Sequence, residues 1–240
     1  MCEQAVLNPK NKVNKIREGR PVIVVHGGSC WASYAEYIED WKKTKFSPDF
    51  TPRRPWQRDL PEKLGPGFTV LLLEMPNWQN AKYIEWKIWF EKAVSVSRDA
   101  PVVVGHSLGG IFLVKYFSET VRPRKVKAML LVSTPYRTSA ENPDFGDFAL
   151  KRQPHRLKKM GSRIRFYHSQ DDPFVAYTDV KKYQSELPEA AINTFRNRGH
   201  FSQKMPEIAR EIRSIYQFER AANRKEGCGP VWGQQSDQTI

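Results

Sequence analysis

Ser107 stands in a setting that could make its hydroxyl a nucleophile. It is the central residue of GHSLG (105–109), which fits the pattern G-x-S-x-G. The run VVV comes directly before this pentapeptide and IFLVKYF follows its glycines, so we predict a strand, a sharp turn and a helix in that order. Side chains at Gly105 and Gly109 would collide with neighbouring backbone in such a turn. The turn would present the hydroxyl at a helix N-terminus, where free N–H groups favour negative charge.

A serine hydroxyl needs a base to take its proton, and the sequence holds five histidines. His200, in the segment RNRGHFSQ, follows the last predicted strand and precedes the last predicted helix, which places it on a loop. A G-x-S-x-G turn of this kind, called a nucleophile elbow, also predicts the chain order Ser, acid, His. We therefore interpret His200 as the base. His106 adjoins the serine, and we expect it to point to the other side of the turn and to pack.

The acid that orients the base should lie between Ser107 and His200, after the penultimate strand. The segment HSQDDPFVAY offers Asp171 and Asp172, of which only one can face the imidazole. We favour Asp172, because Pro173 stiffens the turn after it and the next two residues return to packing. Asp171 then becomes a turn or helix-capping residue.

Two N–H groups are needed for the oxyanion of an acyl-transfer reaction. We assign one to Leu108, directly after the serine, and the other to Gly28, in the loop VVHGGSCW that follows the first strand. Ser29 would replace Gly28 if this loop were displaced by one residue. No elbow surrounds Cys30, so we expect it to pack or to form part of the pocket wall.

Aromatic residues near these segments could form an apolar pocket wall. Trp31 follows the oxyanion loop and Phe201 follows the proposed base, while Phe145 and Phe148 lie in a long connection after the fourth strand. With Ser29, Trp31 and Phe201 lining the pocket, a hydrophobic or aromatic acyl group would be favoured.

The elements that must position these residues recur as short apolar strands separated by helical patterns, which is typical of a parallel sheet covered by helices. Strands are predicted at 21–27, 69–75, 101–106, 126–134, 164–169 and 190–195. Helices are predicted at 33–43, 80–97, 108–120, 176–186 and 205–218. Right-handed crossovers would place helices on both faces of the sheet and the ligand site beyond the carboxyl ends of the strands.

Several segments interrupt this pattern. The proline-rich stretch 44–66 predicts an irregular excursion with room for one short helix. The connection 135–160 leaves the carboxyl end of a strand, from which it could cover a site as a lid. We predict a domain over 21–218, with a basic extension at 1–20 and a mobile tail at 219–240.

Composition limits the class of protein. The chain has 240 residues, a formal net charge of +13 and a mean hydropathy of −0.63, so we expect one soluble domain without a spanning helix. The N-terminus lacks the apolar core of a secretory signal, and we expect a cytoplasmic protein. Cys2, Cys30 and Cys228 are scattered and lack metal-ligand spacing. Seven Lys or Arg and no acid fall in 151–165, which we interpret as a solvated helix face, with substrate steering or polyanion contact as alternatives.

The sequence resembles small single-domain α/β-hydrolases of the retinoblastoma-binding-protein-nine and YdeN-like serine hydrolase family. The resemblance covers roughly 20–218, and its landmarks beyond the elbow are LEMPNW at 73–78, Trp86, LVSTP at 131–135, SQDDPFV at 169–175 and GHF at 199–201. It implies a three-layer α/β-hydrolase fold with about six mostly parallel strands and little lid. It also implies a triad of Ser107, Asp172 and His200 that hydrolyses small substrates. The loop HGGSCW departs from the family, which more often has a proline and extra glycines there.

These observations predict a serine hydrolase that cleaves a carboxylic ester or amide of a small molecule and needs no metal or organic cofactor. The alternative is a catalytically silent module of the same fold that binds a protein partner through its basic surface. Association with a polyanion or a membrane surface through 151–165 is a further alternative. Nucleic acid is not an expected partner, since no nucleic-acid-binding motif accompanies the charge.

Overall fold

The computed structural model describes residues 19–48, 51–141 and 143–226. Within them all six predicted strands form one sheet: β1 (Arg20–Val25), β2 (Phe68–Leu73), β3 (Val102–His106), β4 (Ala128–Val132), β5 (Ile164–Ser169) and β6 (Ala191–Phe195). Neighbouring strands are parallel throughout, in the order β2-β1-β3-β4-β5-β6. The predicted α/β class with a mostly parallel six-stranded sheet is confirmed.

Both faces of the sheet are buried along β1, β3 and β4, because these strands are apolar at nearly every position. In β1, Ile23 and Val25 join one core cluster while Val22 and Val24 join the other, as the two-residue period of a strand requires. Helices cover each cluster, which gives three layers. The α-helices of the described residues are α1 (Tyr34–Lys43), which buries no side chain, α2 (Pro55–Leu64), α3 (Tyr83–Val96), α4 (Leu108–Glu119), α5 (Tyr177–Glu186) and α6 (Pro206–Glu226).

The helices α3, α4 and α5 pack on one face of the sheet, and α2 and α6 pack on the other. Trp86, Phe112 and Tyr183 are fully buried in the first cluster, whereas Leu60 of α2 and Ile212 of α6 belong to the second. None of the helices in the described ranges is long and apolar enough to cross a membrane.

The stretch 44–66 contains the one short helix that was anticipated there. Pro55 occupies the first turn of α2, where its missing N–H costs nothing. Trp56, Leu60 and Leu64 are buried against the sheet, so packing offsets the weak helix propensity of a segment that also contains Pro61.

The predicted domain ends can be compared with the structure only in part. The last helix continues to Glu226, beyond the predicted end at 218. Residues 1–18 of the predicted N-terminal extension and residues 227–240 of the predicted tail lie outside the described residues.

The order of the strands reverses between β1 and β3, which are neighbours in the sheet. Successive connections leave these strands toward opposite faces, because β1 is followed by β2 on one side and β3 by β4 on the other. In open parallel sheets such a switch point creates a crevice at the carboxyl ends. At this crevice, Ser107 directly follows the end of β3, and Gly27 lies two residues after the end of β1.

Candidate active site

Ser107 forms a strained turn between β3 and α4. Its backbone angles are φ 54° and ψ −120°, in a region that side chains rarely adopt. A Cβ at Gly105 would lie 2.6 Å from the carbonyl oxygen of Gly109, and one at Gly109 would lie 2.5 Å from the carbonyl oxygen of Val25. The two glycines therefore allow the close approach of backbone that this turn needs.

His200 lies on the loop between β6 and α6 and is hydrogen-bonded to Asp172. Its Nδ1 atom is 2.9 Å from Oδ2 and 3.0 Å from Oδ1 of the carboxylate. The side chain of Asp172 is fully buried and that of His200 is 7% exposed. Because Nδ1 faces the acid, Nε2 is the nitrogen available to another group. Ser107 and His200 line the same cleft, which has a volume of about 330 Å³.

The carboxylate of Asp172 is held ionised by its neighbours. Burial raises its pKa, but hydrogen bonds from His200 and Ser133 outweigh burial and lower the pKa to about 2. The Ser133 hydroxyl donates to Oδ2 at 2.6 Å, and the N–H groups of Phe174 and Val175 donate to Oδ1 at 2.9 and 3.0 Å. Ser133 was not among the predicted site residues, although it lies within the LVSTP landmark.

Asp171 has a different position. It accepts a hydrogen bond from the Ser169 hydroxyl at 2.5 Å and another from the Gly199 N–H at 2.9 Å. These bonds lower the pKa of its exposed carboxyl group. Asp171 thus stabilises the turn that precedes His200, in agreement with its predicted role as a turn residue.

The loop after β1 brings Gly28 close to the elbow. The N–H of Ser29 donates to the carbonyl of Trp78 at 2.8 Å, so Ser29 has no free N–H for a substrate oxygen. A Cβ at Gly28 would lie 2.6 Å from the same carbonyl oxygen and 3.4 Å from the side chain of Leu108. Leu108 begins α4, and its N–H therefore has no partner within the helix.

His26 fixes the start of this loop. Its Nε2 accepts a hydrogen bond from the Met75 N–H at 2.9 Å, and its Nδ1 lies 2.5 Å from the carbonyl oxygen of Gly27. Only a neutral ring with its proton on Nδ1 satisfies both contacts. Burial accordingly lowers the pKa of His26 to about 4.

Two cavities meet at Ser107. We call them the His200 lobe, of about 330 Å³, and the aromatic lobe, of about 250 Å³. Both are lined by Gly28, Ser29, Ser107 and Phe174. The His200 lobe is also lined by Gly27, Thr51, Pro52, Arg54, Trp78, His106 and His200. The aromatic lobe is also lined by Cys30, Trp31, Leu108, Pro135, Arg137, Phe145 and Val175.

A model of the family described as "Serine hydrolase" matches residues 51–206. The chain belongs to the serine hydrolase family. No curated protein matches its sequence at a significant level.

Solved structures share the fold of this hydrolase at low sequence identity. The ydeN gene product of B. subtilis is 17% identical with a TM-score of 0.63, over 82% of this chain and 99% of that one. A YdeN-like hydrolase from Pectobacterium atrosepticum is 12% identical with a TM-score of 0.54, over 83% and 92%. The meta-cleavage product hydrolase CumD from Pseudomonas fluorescens IP01 is 15% identical with a TM-score of 0.52, over 86% and 92%. These likenesses establish the α/β-hydrolase fold.

Two aromatic residues predicted for the pocket of the hydrolase lie elsewhere. Phe201 is fully buried in the core on the side of α2 and α6, where its ring contacts Phe195 and its carbonyl accepts from the Trp56 indole. The positive φ of 53° at Phe201 turns its side chain away from the cleft. Phe148 is fully buried against Trp86. Both pocket predictions are wrong.

The predicted lid contributes to the cleft only through its first half. Phe145, in the 3₁₀ helix Pro143–Phe148, lines the aromatic lobe, as does Trp31 near the start of α1. The basic half forms the 3₁₀ helix His155–Arg163, whose buried Leu157 belongs to the core beneath α4. No residue of that helix lines either lobe in the described part of the chain.

His106 and Cys30 are both part of the wall. His106 is buried, its ring centre is 4.7 Å from that of His200, and its Nε2 lies 3.2 Å from the His200 carbonyl oxygen. It packs as expected, but it does so against the loop of the proposed base and in the wall of the cleft that Ser107 lines, not on the other side of the turn. Burial raises the pKa of the Cys30 thiol to about 12, and Sγ donates to the Phe145 carbonyl at 3.3 Å. Cys30 therefore stays a thiol and not a nucleophile.

Several residues that complete the His200 lobe were not among the predicted site residues; Arg54, Trp78 and Phe174 are the largest of them. Arg54 lies in the segment TPRRP at the start of α2, and Phe174 lies in DDPFV. The available signals were an aromatic residue two positions after the predicted acid and a basic pair in the proline-rich stretch 44–66. Their positions in the cleft depend on how α2 and the loop after β5, which carries Asp172, pack against the sheet.

Proposed function

We propose that this hydrolase cleaves a carboxylic ester or amide bond of a small molecule through an acyl-enzyme, with Ser107, His200 and Asp172 as its triad. The observation that supports the proposal most directly is the pairing of His200 Nδ1 with the buried Asp172 carboxylate at a cleft shared with Ser107. That pairing leaves Nε2 as the base for the serine hydroxyl.

In the first half of the reaction, Ser107 Oγ attacks the substrate carbonyl carbon while His200 Nε2 takes the hydroxyl proton. Asp172 stabilises the imidazolium that results. The tetrahedral intermediate collapses when His200 returns the proton to the leaving alcohol or amine, and the acyl group stays on Ser107. In the second half, water gives a proton to His200 Nε2 as it attacks the acyl carbon. His200 then returns that proton to Ser107 Oγ as the acyl–oxygen bond breaks, so that a carboxylic acid and the free Ser107 hydroxyl are produced.

The N–H groups of Leu108 and Gly28 are the proposed donors to the oxyanion. Leu108 begins α4, where the helix dipole also favours negative charge, and no backbone acceptor among the described residues takes its N–H. In the described residues no backbone acceptor takes the Gly28 N–H, whereas the N–H of the neighbouring Ser29 is occupied by Trp78. A donor of this kind contributes about 10²- to 10³-fold to kcat.

We assign one half of the substrate to each lobe. The leaving group must lie near the group that protonates it, so the His200 lobe takes the alcohol or amine. The acyl group then occupies the aromatic lobe, whose wall includes Trp31, Phe145 and Phe174. This arrangement favours an acyl chain that is apolar and of moderate length.

A fluorophosphonate probe tests the proposal, because it bonds covalently to an activated serine. Wild type should be labelled on Ser107, Ser107→Ala should not be labelled, and the exposed control Ser162→Ala should be labelled like wild type. Parallel assays with short-chain aryl esters and aminoacyl amides would separate esterase from amidase activity. A folded wild type that is neither labelled nor active on these substrates would contradict the proposal and favour a silent binding module.

A further inference from the structure

Arg54 places a positive charge in the His200 lobe. It lines this lobe together with Ser107 and His200, and it is half-buried. Burial lowers the pKa of its guanidinium. Its Nε atom is inaccessible to solvent and has no hydrogen-bond partner in the described residues. Because Arg54 lines the lobe, its guanidinium is available for charge-assisted hydrogen bonds to an anionic group of a ligand there.

The other arginines near the cleft already have acidic partners. Arg53 donates to Glu74 at 2.9 Å and to the Leu72 carbonyl at 3.1 Å. Arg137, in the aromatic lobe, is ion-paired with the buried carboxylate of Asp179. Arg54 makes no such pair with any acid in the described ranges. Arg137 of the aromatic lobe is thus ion-paired, whereas Arg54 of the His200 lobe has no acid within ion-pair distance among the described residues.

Asp172 acts on Arg54 only through space. The buried carboxylate of Asp172 raises the pKa of Arg54, opposing the effect of burial. However, both Asp172 oxygens are occupied by His200, Ser133 and two backbone N–H groups. Asp172 therefore has no oxygen to offer the guanidinium, which stays available to a ligand in the lobe.

The backbone beneath Arg54 is well fixed. Arg54 is the residue that precedes the first turn of α2, and its N–H donates to the side chain of Gln57 at 2.7 Å. Pro55 follows it, and the fully buried Trp56 and Gln57 attach this turn to the core. A guanidinium presented from a fixed backbone loses less entropy when it binds an anion, which favours specific recognition.

We propose that Arg54 binds a carboxylate on the leaving half of the substrate, so that the hydrolase prefers acyl compounds whose alcohol or amine carries an acidic group. The inference rests on the proposed function, because it assigns the His200 lobe to the leaving group. The formal net charge of +13 would assist by steering anionic substrates toward the protein.

The test uses two substrates that differ only in this charge: the butyrate esters of para-hydroxybenzoate and of para-hydroxybenzamide. The ratio of their kcat/KM values is measured in wild type, Arg54→Gln, Arg54→Lys and Arg58→Gln. Within one variant the ratio cancels the amount of folded enzyme, and across variants it cancels the intrinsic reactivity of the esters. Arg58 is the matched control, since it is exposed on the same helix and lines neither lobe.

Arg54→Gln should lower the ratio by about 10- to 100-fold, the effect of a charge-assisted hydrogen bond. Arg54→Lys should retain part of the preference, because a point charge replaces a planar pair of donors. Arg58→Gln should keep the wild-type ratio. An unchanged ratio in Arg54→Gln would overturn this inference alone. Failure of wild type to hydrolyse either ester or to react with a fluorophosphonate would overturn the proposed function and this inference with it.

Discussion

Asp171 and Asp172 are neighbours in the chain and contact the loop of His200 at two different points. Asp171 accepts the N–H of Gly199, directly before the histidine, while Asp172 accepts the imidazole Nδ1. One carboxylate therefore stabilises the backbone of the loop and the other orients the ring. The two positions differ in exposure as well, because Asp171 is exposed whereas the side chain of Asp172 is fully buried.

This difference predicts unequal effects for two identical substitutions. Asp172→Asn should lower kcat by roughly 10⁴-fold, because an amide N–H facing Nδ1 selects the wrong tautomer of His200. Asp171→Asn should lower kcat by less than about tenfold, since the amide oxygen can still accept from Ser169 and Gly199. Steady-state kinetics on one aryl ester would compare the two, with circular dichroism as the check on folding. Equal losses would contradict the assignment of Asp172 as the orienting acid.

The crowding around the elbow predicts a second pair of outcomes. In Gly109→Ala, the added methyl would meet the carbonyl oxygen of Val25 in the central strand β1, and backbone cannot yield there as a flexible side chain can. We expect a loss of at least about 2 kcal/mol in the free energy of unfolding. Gly67→Ala is the control, because no atom lies within 4 Å of a Cβ added there. It should stay within about 0.5 kcal/mol of wild type in urea denaturation.

The buried neutral ring of His26 predicts a decline of stability in mild acid. Its pKa is about 6.5 when unfolded and about 4 when folded, so the unfolded chain binds more protons between these values. This contribution is complete above pH 6.5 and is lost as the pH falls toward 4. The free energy of unfolding should fall by up to about 1.4 kcal/mol per pH unit from this residue.

Urea denaturation of wild type and His26→Gln at several pH values between 7 and 4 would measure this effect. Burial also lowers the pKa of His106 and His168, so wild type should lose stability faster than one histidine alone explains. The slope of the His26→Gln variant should nevertheless be shallower than that of wild type. Parallel slopes for the two proteins would argue that the His26 ring is not held neutral.

The sequence predicted the sheet well because its signals are local. Apolar runs bounded by turn residues determine each strand, and parallel strands of a switch-point sheet bring their carboxyl ends together wherever the helices lie. For that reason the segments of Ser107, Asp172 and His200 were expected at one edge, and the structure places them there. Their catalytic roles remain a prediction until the labelling experiment is done.

The sequence could not predict features that depend on backbone direction or on packing between distant elements. Arg54 enters the His200 lobe because the buried face of α2, including Trp56, fixes the start of that helix on the sheet. Ser133 contacts Asp172 across a gap of 39 positions in the chain. Neither relation has a signature in spacing or periodicity. The same is true of the positive φ at Phe201, which reverses the side chain that follows His200.

The opposite placement of Phe201 and Phe145 gives a direct comparison of core and pocket. Phe201 is fully buried and lines neither lobe, so Phe201→Ala should cost about 3–5 kcal/mol in the free energy of unfolding through lost burial and cavity formation. Phe145 is part-exposed in the wall of the aromatic lobe, so Phe145→Ala should mainly raise KM for esters with long acyl chains. The measurement is a set of KM values for acetyl, butyryl and octanoyl aryl esters beside a urea titration of each variant. If Phe145→Ala changed KM equally for all three chain lengths, the acyl group would not occupy the aromatic lobe, and the two halves of the substrate would have to be exchanged between the lobes.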